Sequence, residues 1–371
     1  MAKAYGSVNE KSKEIDVLYG TLNNQSKEIV KLYGSVGGET KLIFQKFTGL
    51  KYGRVYYKTT SSSTTVNSVE LQSVAEFNSL VDPNILSSSW TTTVGGGTVT
   101  VSSDDTNIIV GVEIGEKIKA IPNKFLRGCI ALTMPISFPR LVSSIGFGFL
   151  SNCTAFNQPI TIPETIKSIG TSFMSGCSAF NQPMAIPSSI NSIDMSFLDY
   201  CAAFNSTISL PESLNTIGYG FLNHCSSFNQ PIVLPASLET IGLGFLNSCT
   251  SFNQSINLPS NLKTIGSGFL NFSTAFNKPI TLVSSLTHIG DDFLYNCDSM
   301  ISEVNVGSLS ADVIDADGTT SIMGSSFGSF LGNSPQYTTG VPIAGANRAA
   351  WLSKFPNSTT TPYRKLLNAG H

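Results

Sequence analysis

Apolar residues recur along this chain with a period of 24 residues. An isoleucine occupies eight positions at this spacing, namely Ile121, Ile145, Ile169, Ile193, Ile217, Ile241, Ile265 and Ile289. Four residues after each isoleucine comes a phenylalanine, namely Phe125, Phe149, Phe173, Phe197, Phe221, Phe245, Phe269 and Phe293. A strict period that no insertion interrupts is typical of a solenoid, in which each coil stacks on its neighbours. The pattern therefore predicts a stack of coils rather than the two or three globular domains that 371 residues would otherwise suggest.

A short strand is predicted in each coil by an apolar–x–apolar triplet that proline follows, as in Ile160-Thr161-Ile162-Pro163 and Ile232-Val233-Leu234-Pro235. Alternation over three residues turns the middle side chain outwards. The proline ends the strand because it has no N–H to donate. Stacked in parallel, the strands would form one sheet of roughly eight strands, with "VNV" at 304–306 as the last strand before a C-terminal cap. The segment around "GFLxxC" is predicted to be irregular or helical.

Two further ladders share the period. All seven cysteines fall in one phase, at Cys129, Cys153, Cys177, Cys201, Cys225, Cys249 and Cys297, and Ser273 fills the remaining slot. An asparagine follows each member of a second phenylalanine ladder, at Asn157, Asn181, Asn205, Asn229, Asn253 and Asn277. Stacked amides can bond along the solenoid axis and satisfy backbone groups at a turn, so a structural role is predicted for the asparagines, with a ligand role as the alternative.

The combined motif "SLxxIGxGFLxxCxxFNxPIxLPxSL" resembles the BspA-like leucine-rich repeat of bacterial surface proteins. The resemblance covers residues 114–310 and implies a leucine-rich-repeat solenoid with 24-residue coils and one short parallel strand per coil. The common unit of that family has one residue fewer, and the extra residue here falls in "FNQPI". The family alanine is mostly glycine in this chain. These departures affect coil shape, so the concave surface of the family is not transferred in detail.

A shorter period marks the start of the chain. Tyr5, Tyr19 and Tyr33 are 14 residues apart, and each precedes a glycine. The units read as strand, polar turn and strand, with turn centres at Asn9-Glu10, Asn23-Asn24 and Gly37-Gly38, which suit β-hairpins. Residues 3–46 resemble the "YGSV" modules at the start of tail and receptor-binding proteins of phages and prophages of Gram-positive bacteria. That resemblance implies attachment to a particle and a homotrimer.

Four segments are predicted: β-hairpin repeats for particle attachment and oligomerisation at 1–58, a linker and small α+β module or N-cap at 59–113, the leucine-rich repeat solenoid at 114–310, and a C-terminal cap at 311–371. The second segment is predicted to hold a helix over 67–82 and strands at 98–103 and 107–114. In the cap, "ANRAAWLSKF" is predicted to be a short helix whose Trp351 and Phe355 seal the last coil.

Composition narrows the function classes. Only 12% of residues are charged and the net charge is -2, which is not the basic excess of a nucleic-acid binder. The N-terminus lacks the apolar core of a secretory signal, and no apolar run approaches the length of a membrane span. We therefore expect a protein with no nucleic-acid partner and no membrane insertion. The cysteines, expected to be free thiols in the core, fit a chain folded in a reducing cytoplasm.

Catalytic and metal chemistry find little support. His224 and Cys225 are adjacent, but a nucleophilic pair needs side-chain contact and a third orienting group, and the cysteine recurs where the histidine does not. The three histidines do not cluster and no CxxC pair occurs, so no zinc site or other cofactor is predicted. Disulfides between coils are disfavoured because coil spacing exceeds the reach of the bridge. Asp312, Asp315 and Asp317 lack the full spacing of a calcium loop, and whether they bind an ion is left open.

The outward residues of the predicted strands are the candidate ligand-binding positions. They vary from coil to coil while the scaffold stays fixed, at Ser137, Thr161, Ala185, Ser209, Val233, Asn257, Thr281 and Asn305. Solenoids often bind along such a concave sheet. The alternative is that these are ordinary small solvent-facing residues.

These patterns and resemblances predict a non-enzymatic receptor-binding or tail-fibre protein of a phage or phage-like particle. It would be assembled in the host cytoplasm and located in the virion tail. Its partners would be a host surface carbohydrate or protein and, through residues 1–58, tail or baseplate proteins. A bacterial cell-surface adhesin and a tailspike polysaccharide depolymerase are the alternatives; the lack of clustered carboxylates argues against the depolymerase.

Overall fold

The computed structural model describes residues 50–58, 64–81, 90–94, 97–101, 109–290, 292–300, 302–309 and 341–347, together with residue 349 and the strands given below within 4–45 and at 366–368. The described chain is built almost entirely from short strands and turns.

Three hairpins begin the chain. Their strands are β1 (Ala4–Val8), β2 (Lys11–Ile15), β3 (Tyr19–Leu22), β4 (Gln25–Glu28), β5 (Lys31–Val36) and β6 (Glu39–Gln45). Each odd strand pairs antiparallel with the next, and the innermost pairs are Val8 with Lys11, Leu22 with Gln25 and Val36 with Glu39. Two residues therefore close each hairpin, as the turn centres predict.

A small module precedes the solenoid. Its elements are β7 (Gly53–Tyr57), β8 (Asn67–Glu70), α1 (Val74–Asn78), β9 (Trp90–Val94), β10 (Gly97–Val101) and β11 (Ile109–Ile114). Strands β11, β7 and β8 form an antiparallel sheet in that order. The helix predicted over 67–82 is confined to α1, because 67–70 pairs as a strand and Ser73 caps the helix by accepting a hydrogen bond from the Glu76 N–H.

This module covers the first coil. The Phe77 ring packs on Phe125 with centroids 5.1 Å apart, so it begins the phenylalanine ladder one step early. The Leu126 N–H donates to the Leu80 carbonyl at 2.9 Å, as the Leu150 N–H does to Phe125 one coil later. The module thus supplies the neighbour that an open solenoid end lacks.

Two rows of parallel strands run along the solenoid. We call the first the isoleucine row: β12 (Ala120–Ile121), β13 (Ser144–Ile145), β14 (Ser168–Ile169), β16 (Ser192–Ile193), β18 (Thr216–Ile217), β19 (Thr240–Ile241), β20 (Thr264–Ile265) and β22 (His288–Ile289). We call the second the proline row: it consists of the apolar–x–apolar triplets in register, four of which form strands, namely β15 (Met184–Ala185), β17 (Ile208–Ser209), β21 (Ile280–Thr281) and β23 (Val304–Asn305).

The single sheet predicted from the apolar–x–apolar–Pro triplets is therefore wrong. The strand that recurs in eight coils contains the ladder isoleucine, whereas the triplets form strands in four of the described coils. Prolines stand on both sides of some triplets, as Pro231 and Pro235 do around Ile232–Leu234, and this triplet, which has no N–H to donate at either side, forms no strand. Strand β23 is confirmed, but it does not end its row: β24 (Val341–Ala344) and β25 (Leu366–Asn368) continue it in parallel.

The isoleucine row is broken once, between β14 and β16. In most coils a glycine follows the ladder isoleucine, and it lies against the backbone of the preceding coil. A Cβ atom at Gly242 would stand 2.7 Å from the Gly218 carbonyl carbon, and one at Gly266 would stand 2.6 Å from the Gly242 carbonyl carbon. Asp194 occupies this position in the coil of β16. The strand pairing is lost at this coil, although the Phe173 and Phe197 rings of the two coils still stack with centroids 5.1 Å apart.

Two phenylalanine stacks form the core. Centroids of successive rings from Phe125 to Phe293 are 5.1 to 6.0 Å apart, and those from Phe156 to Phe276 are 5.6 to 6.4 Å apart. These rings are buried, as are the ladder isoleucines. Burial of many large aromatic side chains is the main stabilising contribution expected for such a narrow fold.

The "GFLxxC" segment is irregular, not helical. Its φ angle is positive at every second residue, as at Gly220 (70°), Leu222 (53°) and His224 (56°). Alternating handedness turns successive N–H groups to opposite sides. Gly220 donates forward to Leu243, Leu222 back to Phe197, and His224 forward to Asn247, at 2.7 to 3.1 Å. The segment is thus held by both neighbouring coils.

Candidate binding surfaces

The predicted ligand-binding positions lie on the proline row. Thr161, Ala185, Ser209, Val233, Asn257 and Thr281 are exposed, and so is Ser137. Ala185 pairs directly with Ser209, and Thr281 with Asn305. Asn305 differs from the others because it is half-buried and its Oδ1 accepts a hydrogen bond from the Gly307 N–H at 2.8 Å. Val233, which is 77% exposed, is the largest apolar side chain on this row. A ligand role for these residues stays a prediction.

A second surface, which the sequence analysis missed, follows the isoleucine row. Two residues after the ladder isoleucine, the side chain varies as freely as on the proline row, through Asn123, Phe147, Thr171, Met195, Tyr219, Leu243 and Ser267. Four of these are exposed large apolar residues, with 41–52% of their surface accessible: Phe147, Met195, Tyr219 and Leu243. The signal that could have found this row was the variable residue between the two glycines of "IGxGF".

An open groove lies at the N-terminal end of this surface and encloses about 710 Å³. Four successive coils line it, through Ile121, Pro122, Asn123, Ser144, Ile145, Gly146, Phe147, Ser168, Ile169, Gly170, Thr171 and Asp194. We call it the N-terminal groove. It ends at Asp194, where the strand pairing of the isoleucine row is interrupted.

A third feature is an aromatic pair on the "GFLxxC" edge. The rings of Tyr200 and His224 stack with centroids 4.1 Å apart and an interplanar angle of 7°. Asp199 Oδ1 faces His224 Nδ1 at 3.9 Å. Burial raises the pKa of Asp199 to about 6, and desolvation lowers the pKa of His224. Burial thus opposes the charged form of each group.

The His224–Cys225 pair does not form a catalytic unit. The Cys225 side chain is fully buried, and its Sγ donates to the Leu198 carbonyl at 3.1 Å. Burial raises the pKa of this thiol, which keeps it protonated. The histidine ring packs on Tyr200 instead. All seven cysteines are buried thiols outside any disulfide bond, and Ser273 makes the equivalent hydrogen bond to Leu246 at 2.8 Å.

The asparagine ladder has the structural role that the sequence predicts. Asn157 Oδ1 accepts the Asn181 N–H at 2.9 Å, and the same bond repeats from coil to coil. The last asparagine, Asn277, accepts the Ser302 N–H at 3.0 Å. Each amide oxygen therefore satisfies a backbone donor of the next coil.

Within the ranges that the structure describes, no three His, Cys, Asp or Glu side chains come together as a group that could hold a metal ion. Asp312, Asp315 and Asp317 lie outside those ranges, as do Trp351 and Phe355. Among the described residues no helix is long and apolar enough to cross a bilayer.

The stacked 24-residue coils, the parallel strands and the buried ladders define a leucine-rich-repeat solenoid, a class that typically serves as a binding scaffold. The sequence pattern described as BspA type Leucine rich repeat region matches residues 105–229 and 180–301, in six copies. The chain therefore belongs to the BspA-type leucine-rich repeat family.

Solved structures of similar proteins are leucine-rich repeat proteins. One from Bacteroides ovatus ATCC 8483 is 21% identical over 68% of this chain and 69% of its own, with a TM-score of 0.44. A leucine rich cell surface protein from Faecalibacterium prausnitzii A2-165 is 16% identical over 52% of this chain and 54% of its own, with a TM-score of 0.40. A leucine rich repeat protein from T. pallidum is 21% identical over 54% and 86%, with a TM-score of 0.34. Among curated proteins, none matches the chain.

Proposed function

We propose that this chain is a non-enzymatic receptor-binding protein of the tail-fibre type, which recognises a host cell-surface molecule through its solenoid. One observation carries the proposal: exposed side chains change at every coil on a scaffold whose buried ladders do not change. Thr161, Ala185, Ser209 and Val233 succeed one another on the proline row, so that polar and apolar side chains alternate from coil to coil. Variable exposed positions on a fixed scaffold are the arrangement by which solenoids present an extended binding surface.

The N-terminal hairpins support placement on a phage or phage-like particle. Their two-residue closures agree with the "YGSV" modules that residues 3–46 resemble. An isolated two-stranded hairpin is marginally stable in water, so we infer that these hairpins pack against copies of themselves, as a homotrimer, or against tail or baseplate proteins. Several copies on one particle would multiply weak contacts into strong attachment.

Capture of host envelope material by the full chain tests this proposal. We expect the chain to retain a surface carbohydrate or protein from detergent-solubilised envelope fractions. In the variant with Val233→Lys and Asn257→Lys, two long cations replace exposed residues of the proline row, and capture should fall at least tenfold. The matched control carries Ser227→Lys and Ser251→Lys, which add the same charge at exposed positions of the same two coils.

The outcomes separate the parts of the proposal. If the chain captures nothing from any envelope fraction, receptor binding is refuted. If both double variants capture as much as the unmodified chain, binding stands but the proline row is not the surface. Release of reducing ends from host polysaccharide would show instead that the chain is a depolymerase.

A bacterial cell-surface adhesin is the second candidate, because the family match takes in residues 105–301, more than half of the chain. The two functions differ in where the protein is found. Antibodies against the solenoid should label purified particles from induced cultures if it is a tail protein. Labelling confined to the envelope of the producing bacterium would favour the adhesin.

A further inference from the structure

The N-terminal groove has a floor without side chains. Gly146 and Gly170 form it, and both lie against the preceding coil: a Cβ atom at Gly170 would stand 2.5 Å from the Phe147 nitrogen. The floor is therefore bare backbone, and the walls come from the residues on either side of the glycines. Phe147 and Thr171 stand on one side, and Ser144 and Ser168 on the other.

The N-terminal groove ends at a coil that lacks the glycine found after the ladder isoleucine in most coils. Asp194 takes the glycine position of the fourth coil, the sheet breaks there, and its exposed carboxylate stands at the end of the groove. At the opposite end, the Asn123 Oδ1 accepts the Phe147 N–H at 3.2 Å, so the NH₂ group of that amide is the part left to donate. Donors and acceptors thus stand at both ends of a cavity whose centre is small and open.

The lining fits one class of ligand. Phe147 is 41% exposed and offers an apolar ring, while three hydroxyls, an amide and a carboxylate surround it. A volume of about 710 Å³ is in the ordinary range for small-ligand sites, in which an apolar surface and a few placed polar groups fix orientation. No lysine or arginine lines the groove, and its one charge is negative, which disfavours phosphate and anionic sugars. A neutral ring with one apolar face and several hydroxyl groups matches both halves of this lining.

We propose that the N-terminal groove binds a neutral sugar ring of a cell-surface glycan. The ring stacks on Phe147, and its hydroxyl groups donate to the Asp194 carboxylate and exchange hydrogen bonds with Ser168 and Thr171. This inference rests on the proposed function and adds to it a ligand class and a site distinct from the proline row. Later coils keep the glycine and the strand pairing, so the site belongs to the first four coils.

Binding of the full chain to an array of neutral and anionic oligosaccharides tests the site. We expect retention of neutral sugars alone, and titration calorimetry with the best of them should give at least a tenfold loss of affinity in Phe147→Ala. Asp194→Gly restores the residue of the other coils and should lose binding too, whereas Asp194→Asn should lose less. Leu243→Ala is the matched control, because Leu243 is 49% exposed in the same register outside the groove.

Failure of the site and failure of the proposed function give different results. Equal sugar binding by Phe147→Ala, Asp194→Gly and Leu243→Ala, or retention of anionic sugars only, would overturn the site. If those variants also capture host envelope material normally, receptor recognition survives without the groove. If the array is bound but no envelope fraction is, the site stands and the proposed function falls.

Discussion

The buried and the exposed positions of each coil differ in how much the residue type varies from coil to coil. Inside, Phe197, Phe221 and Phe245 are the same residue at the same position, because each ring packs on its own copy one coil away. Outside, Met195, Tyr219 and Leu243 stand only two residues earlier in their coils, and although all three are large and apolar, they differ in shape and chemistry. Because the coils stack in register, each buried side chain contacts the side chain at the same position of the next coil. Using the same residue type in every coil is the simplest way to make these contacts equivalent. The exposed positions carry no such constraint, and ligand chemistry can change there without loss of the fold.

The largest expected loss of stability comes from Phe221→Ala, which tests the difference between buried and exposed positions. The ring is fully buried between two others, at 5.9 and 5.6 Å, so its removal should cost about 3–5 kcal/mol of unfolding free energy. The control is Tyr219→Ala in the same coil, which should cost less than about 1 kcal/mol because Tyr219 is exposed. Urea unfolding followed by circular dichroism measures both. Similar losses in the two variants would contradict the division between inside and outside.

A smaller effect is expected from the asparagine ladder. Asn229 Oδ1 accepts the Asn253 N–H at 2.9 Å and the Gln254 Nε2 at 3.0 Å. Asn229→Ala leaves a half-buried backbone donor without its acceptor and should cost about 1–3 kcal/mol. Asn229→Asp keeps an acceptor oxygen in place and should recover most of this loss. If the aspartate variant is as unstable as the alanine variant in the same urea experiment, the amide oxygen is not what holds the turn.

The buried half of this molecule could be predicted from its sequence. The phase of Ile217, Phe221 and Cys225 is visible because stacking forces the same residue into every coil, and all three are buried in the structure. The hairpin closures were equally visible, since two-residue turns have their own residue preferences.

The hydrogen bonding and the groove could not be predicted in the same way. Strands of two residues, such as Thr216–Ile217, are too short to show an alternation of apolar and polar residues. The sheet was therefore predicted at the triplets, where the alternation is more regular. The alternating φ signs of "GFLxxC" depend on contacts with both neighbouring coils. The N-terminal groove ends at Asp194, which stands where most coils have glycine, and the break in strand pairing at that coil is seen only in three dimensions.

The smallest expected effect concerns Asp199, an ionisable residue at a buried position. It tests whether buried positions tolerate a charge as exposed positions do. Asn223, Asn247 and Asn271 hold the same position in later coils. Burial raises the pKa of Asp199 to about 6, from about 3.8 in the unfolded chain. The folded state therefore binds more protons between these values, and the penalty for the charge grows as pH rises and is complete above pH 6.

Asp199→Asn should remove that penalty. At pH 8 the variant should be more stable by on the order of 1 kcal/mol, a figure reduced for solvent screening, and at pH 3.5 the two proteins should be nearly equal. His224 lies 3.9 Å from this carboxyl group, and its lowered pKa keeps the imidazole neutral at pH 8, so the difference between variant and parent at that pH reports the carboxyl group. Urea unfolding at the two pH values decides the matter. A gain of the same size at both would mean that shape, not charge, makes asparagine the better residue, and the buried side would then tolerate ionisation as readily as the surface.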